Sequence, residues 1–449
     1  MNYHLFRKLP YILQNILVSI YNYKQYAIRH GGNYPEYLDY YDKSWNMSIE
    51  DLNEHILNKR ESFLNYAVNN SNWYNKFRDF KDLKDFDILS KTDLINNLGE
   101  ISTIIEDLGI VSLTGGTTGA SMKVIYTKEN IQERFAILDS FRKRFGYELG
   151  KKTAWFSGKN LITDQDLKKG RCSHYDFINK ISFYSTFHIN EKNFDIYWKS
   201  LNKYKPEFMV GFPSSVYEIA KVAYERGLEY TGKVNVFFPT AETILPIHRE
   251  IIRKVFGCLI VDQYASSEGA PFILECEKGN KHIHPLTGDF EVVNNKLEAV
   301  SEGRILVTSY TTYGTPLIRY DIGDSVKLAD TKYKCACGSN FPVVLSIQGR
   351  STDYILSKEH GRVNLGNLSN STKDIEGIIC FQIIQNNLDN LELKIVSNEK
   401  FTNKQKSNFI KALKERVGDN ININIDLVKE IPREKSGKFR IVKNNLVKE

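Results

Sequence analysis

The chain is 449 residues long, 41% hydrophobic and 26% charged, which is too much for one ordinary core and predicts a globular protein of two or three folding units. A formal net charge of +7, from 61 basic and 54 acidic residues, is too mild to demand nucleic acid or an anionic membrane by itself. Six cysteines, two of them separated by a single residue, do not make a secreted disulfide framework, so a reducing cytoplasm is the expected setting.

In chain order, the run from Leu9 to Tyr23 is apolar in part but interrupted by Gln14 and Asn15. It is too short and too polar to span a bilayer, and no convincing small-residue cleavage site follows it. Arg7, Lys8, Lys24 and Arg29 surround it; it reads as a helix docked on the protein body, with peripheral contact at a membrane surface as the alternative. Residues 1–100 are rich in Tyr and Asn and read as the helical N-terminal part of a large domain, with no recognisable chemistry.

Next comes Leu113-Thr114-Gly115-Gly116-Thr117-Thr118-Gly119-Ala120-Ser121-Met122-Lys123. Ile110-Val111 before it and the alternating Val124 and Tyr126 after it predict a hairpin whose glycine-rich turn leaves amide N–H groups open to a polyphosphate. It lacks Gly-Lys-Ser/Thr and is therefore no Walker loop. Alone it is as much a plain turn as a phosphate cradle.

From Val111 to about Val344 short strands alternate with helices: a strand at Phe208 to Phe212, a helix from Ser214 to Arg226, a strand at Val234 to Phe238, a helix from Leu245 to Phe256, and a strand at Leu259 to Val261. That order predicts parallel pairing with ligands gathered at strand ends. Beyond Gly349, Cys380 to Gln385, Leu391 to Val396, a charged helix Asn403 to Val417 and Ile421 to Val428 describe a small α+β domain. The expected fold is thus α/β: a large domain with parallel-sheet layers, its core over 101–349, followed by a small C-terminal α+β domain over 350–449.

Five stretches in order carry a resemblance. They are the Thr/Gly loop, Tyr264-Ala265-Ser266-Ser267-Glu268, Ile318-Arg319-Tyr320-Asp321-Ile322-Gly323-Asp324, Gln348-Gly349-Arg350-Ser351-Thr352-Asp353, and Pro432-Arg433-Glu434-Lys435-Ser436-Gly437-Lys438. Together they resemble the adenylate-forming superfamily of acyl-CoA synthetases, peptide-synthetase adenylation domains and luciferases. Leu9-Pro10, Leu13-Gln14-Asn15, Gly211-Phe212-Pro213-Ser214 and Phe381-Gln382-Ile383-Ile384-Gln385 look like the phenylacetate-CoA ligase branch, and within it the CapK-type proteins of capsular polysaccharide biosynthesis.

The resemblance implies an ATP site formed by Thr114, Gly115, Gly116, Thr117, Thr118, Gly119, Lys123, Tyr264, Ser266, Asp324 and Arg350, with Lys438, Glu268 and Arg350 catalytic. The chemistry suits those residue types, because attack of a carboxylate on the α-phosphorus is helped mainly by position and electrostatics. The loop amides and hydroxyls can cradle the β- and γ-phosphates, and Glu268 can hold Mg²⁺. Asp324 can accept from both ribose hydroxyls, Arg350 can reach ribose or phosphate, and Lys438 can bridge the attacking carboxylate and the α-phosphate. Departures from the family pattern are Ser121 in place of a usual proline, Ala265 in place of a glycine, and Thr352 in place of a hinge aspartate.

Cys276, His282, Cys335 and Cys337 offer three thiolates and an imidazole, the number a structural Zn²⁺ needs; His284 could replace His282. Similar Cys/His arrangements in phenylacetate-CoA ligase-like proteins favour zinc.

The expected activity is an ATP-dependent, AMP-forming ligase that joins a carboxylic acid to an amine or thiol, coenzyme A included. An aryl-CoA ligase is the alternative, and a basic nucleic-acid-binding protein or an inactive scaffold is the reading of another class. No nucleic acid partner is expected, since zinc-finger spacing, an RNA-recognition aromatic motif and a helix-turn-helix signal are all missing from the sequence.

Overall fold

A computed structural model describes residues 6–114, 122–158, 162–242, 244–348, 354–372, 374–432 and 441–446. The chain divides into two compact units, Met1–Leu38 with Phe135–Gln263, and Asp39–Arg134 with Tyr264–Glu449. Residues 1–100 are thereby shared between the units.

The first unit is built on a six-stranded sheet in the order Ser173–Asp176, Ile181–Ser185, Thr153–Ser157, Phe208–Gly211, Val236–Pro239, Leu259–Ile260. The last five run parallel and the first is an antiparallel edge. Phe208–Gly211 and Val236–Pro239 are buried at every position, as strands covered on both faces must be. The helices Phe194–Tyr204, Pro213–Glu225 and Pro246–Phe256 lie in the crossovers. Pro213 and Pro246 begin the last two, where a missing N–H costs nothing, and Gly257, with φ +64°, ends the third. Phe156, Tyr197, Met209, Phe237 and Ile252 form the centre of the core. The strand, helix, strand order expected from the sequence is present.

In the second unit the helix Ile49–Asn70 starts at Ser48, whose hydroxyl accepts the Asp51 N–H. The hairpin Ile110–Thr114 and Met122–Tyr126 pairs antiparallel, with Thr114 opposite Met122. A seven-stranded sheet follows in the order Gly288–Val293, Glu302–Ser309, Tyr320–Leu328, Val343–Gln348, Lys281–Ile283, Ile273–Glu275, Gln263–Tyr264. One core joins Phe63, Tyr74 and Phe86 to Tyr126, Ile305 and Tyr320.

The same unit ends in a four-stranded sheet, Asn422–Leu427, Asn390–Ser397, Ile378–Gln385, Val442–Asn444, covered by the helix Asn403–Val417. Phe381, Ile383, Leu393, Phe409 and Leu413 give this part a core of its own. It is the smaller, β-rich C-terminal region that the sequence implies.

Candidate functional site

The segment that leaves the short strand Gln263–Tyr264 is shaped almost entirely through its carbonyls. Ser266 Oγ accepts the Ala270 N–H at 2.9 Å, closing a tight turn. At Gly269 φ is +109°, and a Cβ there would lie 2.3 Å from Thr312 Cγ2 and 2.7 Å from the Tyr126 hydroxyl oxygen, so no other residue fits. Below the turn is the buried Arg134. Its Nη1 donates to the Gly269 carbonyl at 2.9 Å and to Thr311 Oγ1 at 2.8 Å, and its Nη2 to the carbonyls of Ser266 and Ala270, each at 3.2 Å. The guanidinium also stacks 4.6 Å over the Phe272 ring. Ser309 Oγ adds a second donor to the Gly269 carbonyl.

Ser267 ties this turn to the hairpin that carries the Thr/Gly loop. Its carbonyl accepts from Tyr126 at 2.9 Å and from Ser112 Oγ at 3.1 Å. The turn is therefore hydrogen-bonded to both strands that flank the Thr/Gly loop. Glu268 in the middle of the turn is buried. Burial, with the Glu268 charge adding to it against Arg134, pushes the Tyr126 phenol up to about 12.

A third stretch reaches the same place. Along Tyr320–Leu328 burial alternates, so Tyr320, Ile322, Asp324 and Val326 share the inner face. The Tyr264 hydroxyl donates to Asp324 Oδ2 at 2.7 Å, and both side chains are buried. Tyr320 is raised well above the usual phenol range by burial, then by the charges of Glu268, Asp321 and Asp324. The arrangement is a buried phenol flanked by acidic groups, an environment that gains from a cation. The other charged residues of this stretch have structural tasks. Arg319 donates to Glu291 at 2.9 Å and to the Phe86 carbonyl at 2.9 Å, while Asp321 accepts from Arg304 at 3.0 Å.

Gly115, Gly116, Thr117, Thr118, Gly119, Arg350 and Lys438 lie outside the described residues, and of Thr114 only the backbone pairing is described. Lys123 forms an ion pair with Glu106 at 2.8 Å, the two side chains 40% and 51% exposed. Strand alternation explains this, since Met122 and Val124 face inward. Sequence reasoning did not single out Arg134, Ser309 or Thr311. The available signal for Arg134 was polar character at positions that are buried in its helix, namely Asn130, Gln132, Glu133, Arg134 and Asp139.

A separate cluster brings together Cys276, His282, Cys335 and Cys337, with all four candidate ligand atoms within 4.8 Å of one another. Cys276 Sγ and Cys335 Sγ are 3.7 Å apart, and Cys337 Sγ is 3.5 Å from His282 Nε2. A tetrahedral Zn²⁺ with bonds of about 2.3 Å to sulfur and about 2.0 Å to nitrogen would set such edges near 3.8 and 3.5 Å. His282 Nδ1 lies 3.0 Å from the Phe341 carbonyl oxygen, an acceptor, so Nδ1 carries the proton and Nε2 presents its lone pair. Asn280 Nδ2 donates to Cys335 Sγ at 3.2 Å. Burial pushes the Cys276 thiol up and the Cys337 thiol up to about 12; a bound cation would reverse that. His284 stands apart from the four: it packs 4.6 Å from the Phe341 ring and 5.3 Å from Tyr41, and burial followed by the Lys59 charge drives its pKa down to about 3.

The CapK C-terminal domain family matches residues 355–445. Over its whole length the chain is similar to Protein CapK of Staphylococcus aureus, 32% identical over 467 aligned residues that cover 99% of each chain. Among solved structures it is similar to 2-hydroxyisobutyryl-CoA ligase in three states. With 2-HIB-AMP and CoA in the thioesterification state the TM-score is 0.58 at 18% identity, over 90% of this chain and 92% of that one. In the postadenylation state with R3-HIB-AMP it is 0.56 at 16% identity, over 90% and 91%. In an open conformation with 2-HIB-AMP and CoA it is 0.55 at 16% identity, over 89% and 93%. At these identities the likeness is one of fold, that of the adenylate-forming ligases.

Proposed function

The chain belongs to the family of Protein CapK, and from that premise we propose that it is an ATP-dependent, AMP-forming ligase. It activates a carboxylate as an acyl-adenylate and passes the acyl group to an amine or thiol in surface, capsular polysaccharide biosynthesis. The observation that carries this reading is the convergence of Tyr264, Glu268 and Asp324, with the Glu268 turn bonded to the hairpin that bears the Thr/Gly loop. The fold shared with a ligase whose structures contain an acyl-AMP and CoA adds to it.

In the first half-reaction a carboxylate oxygen bonds to the α-phosphorus of ATP and the bond to pyrophosphate breaks. The Thr/Gly loop amides hold the β- and γ-phosphates, and Arg134 keeps the Glu268 turn in register with them. Asp324, oriented by the Tyr264 hydroxyl, accepts from the ribose hydroxyls. Glu268 would hold Mg²⁺, which neutralises phosphate charge and suits a carboxylate beside phosphate oxygens; a buried acid that raises a neighbouring phenol fits that use. Lys438 bridges carboxylate and α-phosphate, with Arg350 on the ribose side.

In the second half-reaction the thiol or amine bonds to the acyl carbon, loses its proton, and AMP leaves. Residues 350–449 form a small mobile domain that carries Lys438 away between the steps; the separate core of this region and the several states of the neighbouring ligase are what support it. A structural Zn²⁺ on Cys276, His282, Cys335 and Cys337 completes the reading. A cytoplasmic setting belongs to the same reading, and ATP use and the unpaired cysteines among the described residues support it.

The second reading is an aryl-CoA ligase, and the CoA in the neighbouring structures supports its thiol acceptor. The deciding experiment is acid-dependent ATP–pyrophosphate exchange across aryl, fatty, amino and uronic acids, followed by an acceptor screen with coenzyme A and amines. Exchange with one acid class is expected; no exchange with any of them overturns the ligase and leaves a scaffold, and salt-sensitive retention on DNA would point to nucleic acid instead.

A further inference from the structure

The helix Tyr11–Arg29 is amphipathic in the sense opposite to that of an ordinary docked helix. Its buried positions are Gln14, Asn15, Val18, Ser19 and Asn22, and they meet the edge strand Ser173–Asp176 through polar contacts. Asn15 Oδ1 lies 2.9 Å from His174 Nδ1 and accepts the Tyr175 N–H at 3.2 Å. Ser19 Oγ accepts the Phe177 N–H at 2.9 Å, and the Tyr11 hydroxyl donates to the Ser173 carbonyl. Side chains of this kind are suited to a sheet edge, whose exposed backbone groups need partners.

Helical spacing then turns the apolar residues outward. Ile12, Leu13, Ile16, Leu17, Ile20 and Tyr23 are between 38% and 59% exposed, and the adjoining turn, anchored to Ser19, adds Phe177 and Ile178 at 47% and 50%. An apolar stripe of this extent facing water marks an interaction surface. Its surroundings are basic. The sequence has no acidic residue before Glu36; Arg7 and Lys8 are exposed just ahead of the helix, Lys24 sits on its outward side, and exposed Lys180 closes the adjoining turn. The one acid of that turn, Asp176, is turned inward, accepting the backbone N–H groups of Ile178 and Asn179 at 3.0 and 3.1 Å.

We propose that this face seats the protein on an anionic membrane surface, with the helix lying in the plane of the interface, its apolar side in the headgroup boundary and the lysines against lipid phosphates. No helix among the described residues is long and apolar enough to cross a membrane, so the contact is peripheral. A second copy of the chain fits the face less well, because a symmetric pairing sets Lys8 and Lys24 of each copy against those of the other.

Cosedimentation of the full chain with vesicles tests this without ATP or acid, so its outcome is independent of the ligase reading. Binding is expected to vesicles of phosphatidylcholine mixed with phosphatidylglycerol, falling with salt, and not to phosphatidylcholine alone. Replacing both Ile16→Asp and Ile20→Asp should lower partitioning at least about tenfold with an unchanged melting temperature, and Lys24→Gln roughly fivefold. Folded wild-type protein that ignores both vesicle types, or binding that survives the paired aspartates, overturns the proposal. A dimer seen by sedimentation velocity, dissolved by the same pair in the absence of vesicle binding, overturns it too and assigns the face to a second copy.

Discussion

The Tyr264 hydroxyl donates a 2.7 Å hydrogen bond to Asp324, across sixty positions of sequence and between two buried side chains. A bond to a buried carboxylate contributes about 1.5–3 kcal/mol, and this one fixes which way the carboxylate points. Tyr264→Phe keeps the ring and deletes the bond. We expect KM for ATP in the exchange assay to rise roughly tenfold or more, with a smaller change in KM for the acid. Equal changes in both would mean that Asp324 does not serve the nucleotide.

Arg134 serves several backbone carbonyls at once, and Lys cannot span them because it is a point charge without the planar fork. Arg134→Lys and Arg134→Met are both expected to lower stability by roughly 3 kcal/mol, since buried carbonyls lose their donors. Urea unfolding measures this; a lysine variant as stable as wild type would show that the fork is dispensable.

Burial sets an alkaline limit on the fold. Tyr126 and Tyr147 are raised from 10.0 to about 12, in each case by burial first. A pKa raised in the folded state contributes stability that is complete below the unfolded value and is lost as pH climbs through the folded one. The window is therefore pH 10 to 12, and each of the two phenols withdraws roughly 3 kcal/mol across it. Chemical denaturation at a series of pH values should show a steepening loss there, and a flat profile to pH 12 would contradict it.

Freshly purified protein is expected to contain about one Zn²⁺ per chain. Cys335→Ser or a strong chelator should lower the melting temperature, since an ion held by the four residues would tie the segment around Cys276 and His282 to the one around Cys335 and Cys337. Elemental analysis without zinc, or a chelator with no effect on melting, removes the ion.

If, as proposed, the Lys438 charge acts on the first transition state, Lys438→Ala should abolish adenylate formation while sparing consumption of a supplied acyl-adenylate. Single-turnover rates for the two steps check this, and parallel loss of both would place the residue in the second step as well.

Much of this was legible from residue order. The apolar runs Phe208–Gly211 and Val236–Pro239 carry their own signal because both of their faces are covered, and Tyr264, Glu268 and Asp324 belong to stretches recognisable in sequence. The Cys/His quartet was legible too, but not which histidine: His282 and His284 are two positions apart in sequence, and only the neighbouring thiols and the Phe341 carbonyl distinguish them. Arg134 was hidden because its partners are carbonyls, which every residue has. Lys123 looked suited to a phosphate loop, yet strand alternation directs it to Glu106. The N-terminal helix shows the sharpest difference: its polar residues, which interrupt the apolar run in sequence, are those that face the protein.

The way the two units interleave along the chain bears on synthesis. Phe63, Tyr74 and Phe86 share a core with Ile305 and Tyr320, while the intervening stretch from Phe135 to Gln263 belongs to the other unit. At ribosomal speed the earlier residues wait on the order of ten to fifty seconds for the later ones to be made. During that interval their aromatic surfaces are open to holdase chaperones, and a ribosome that stalls within the intervening stretch leaves a nascent chain predisposed to aggregate.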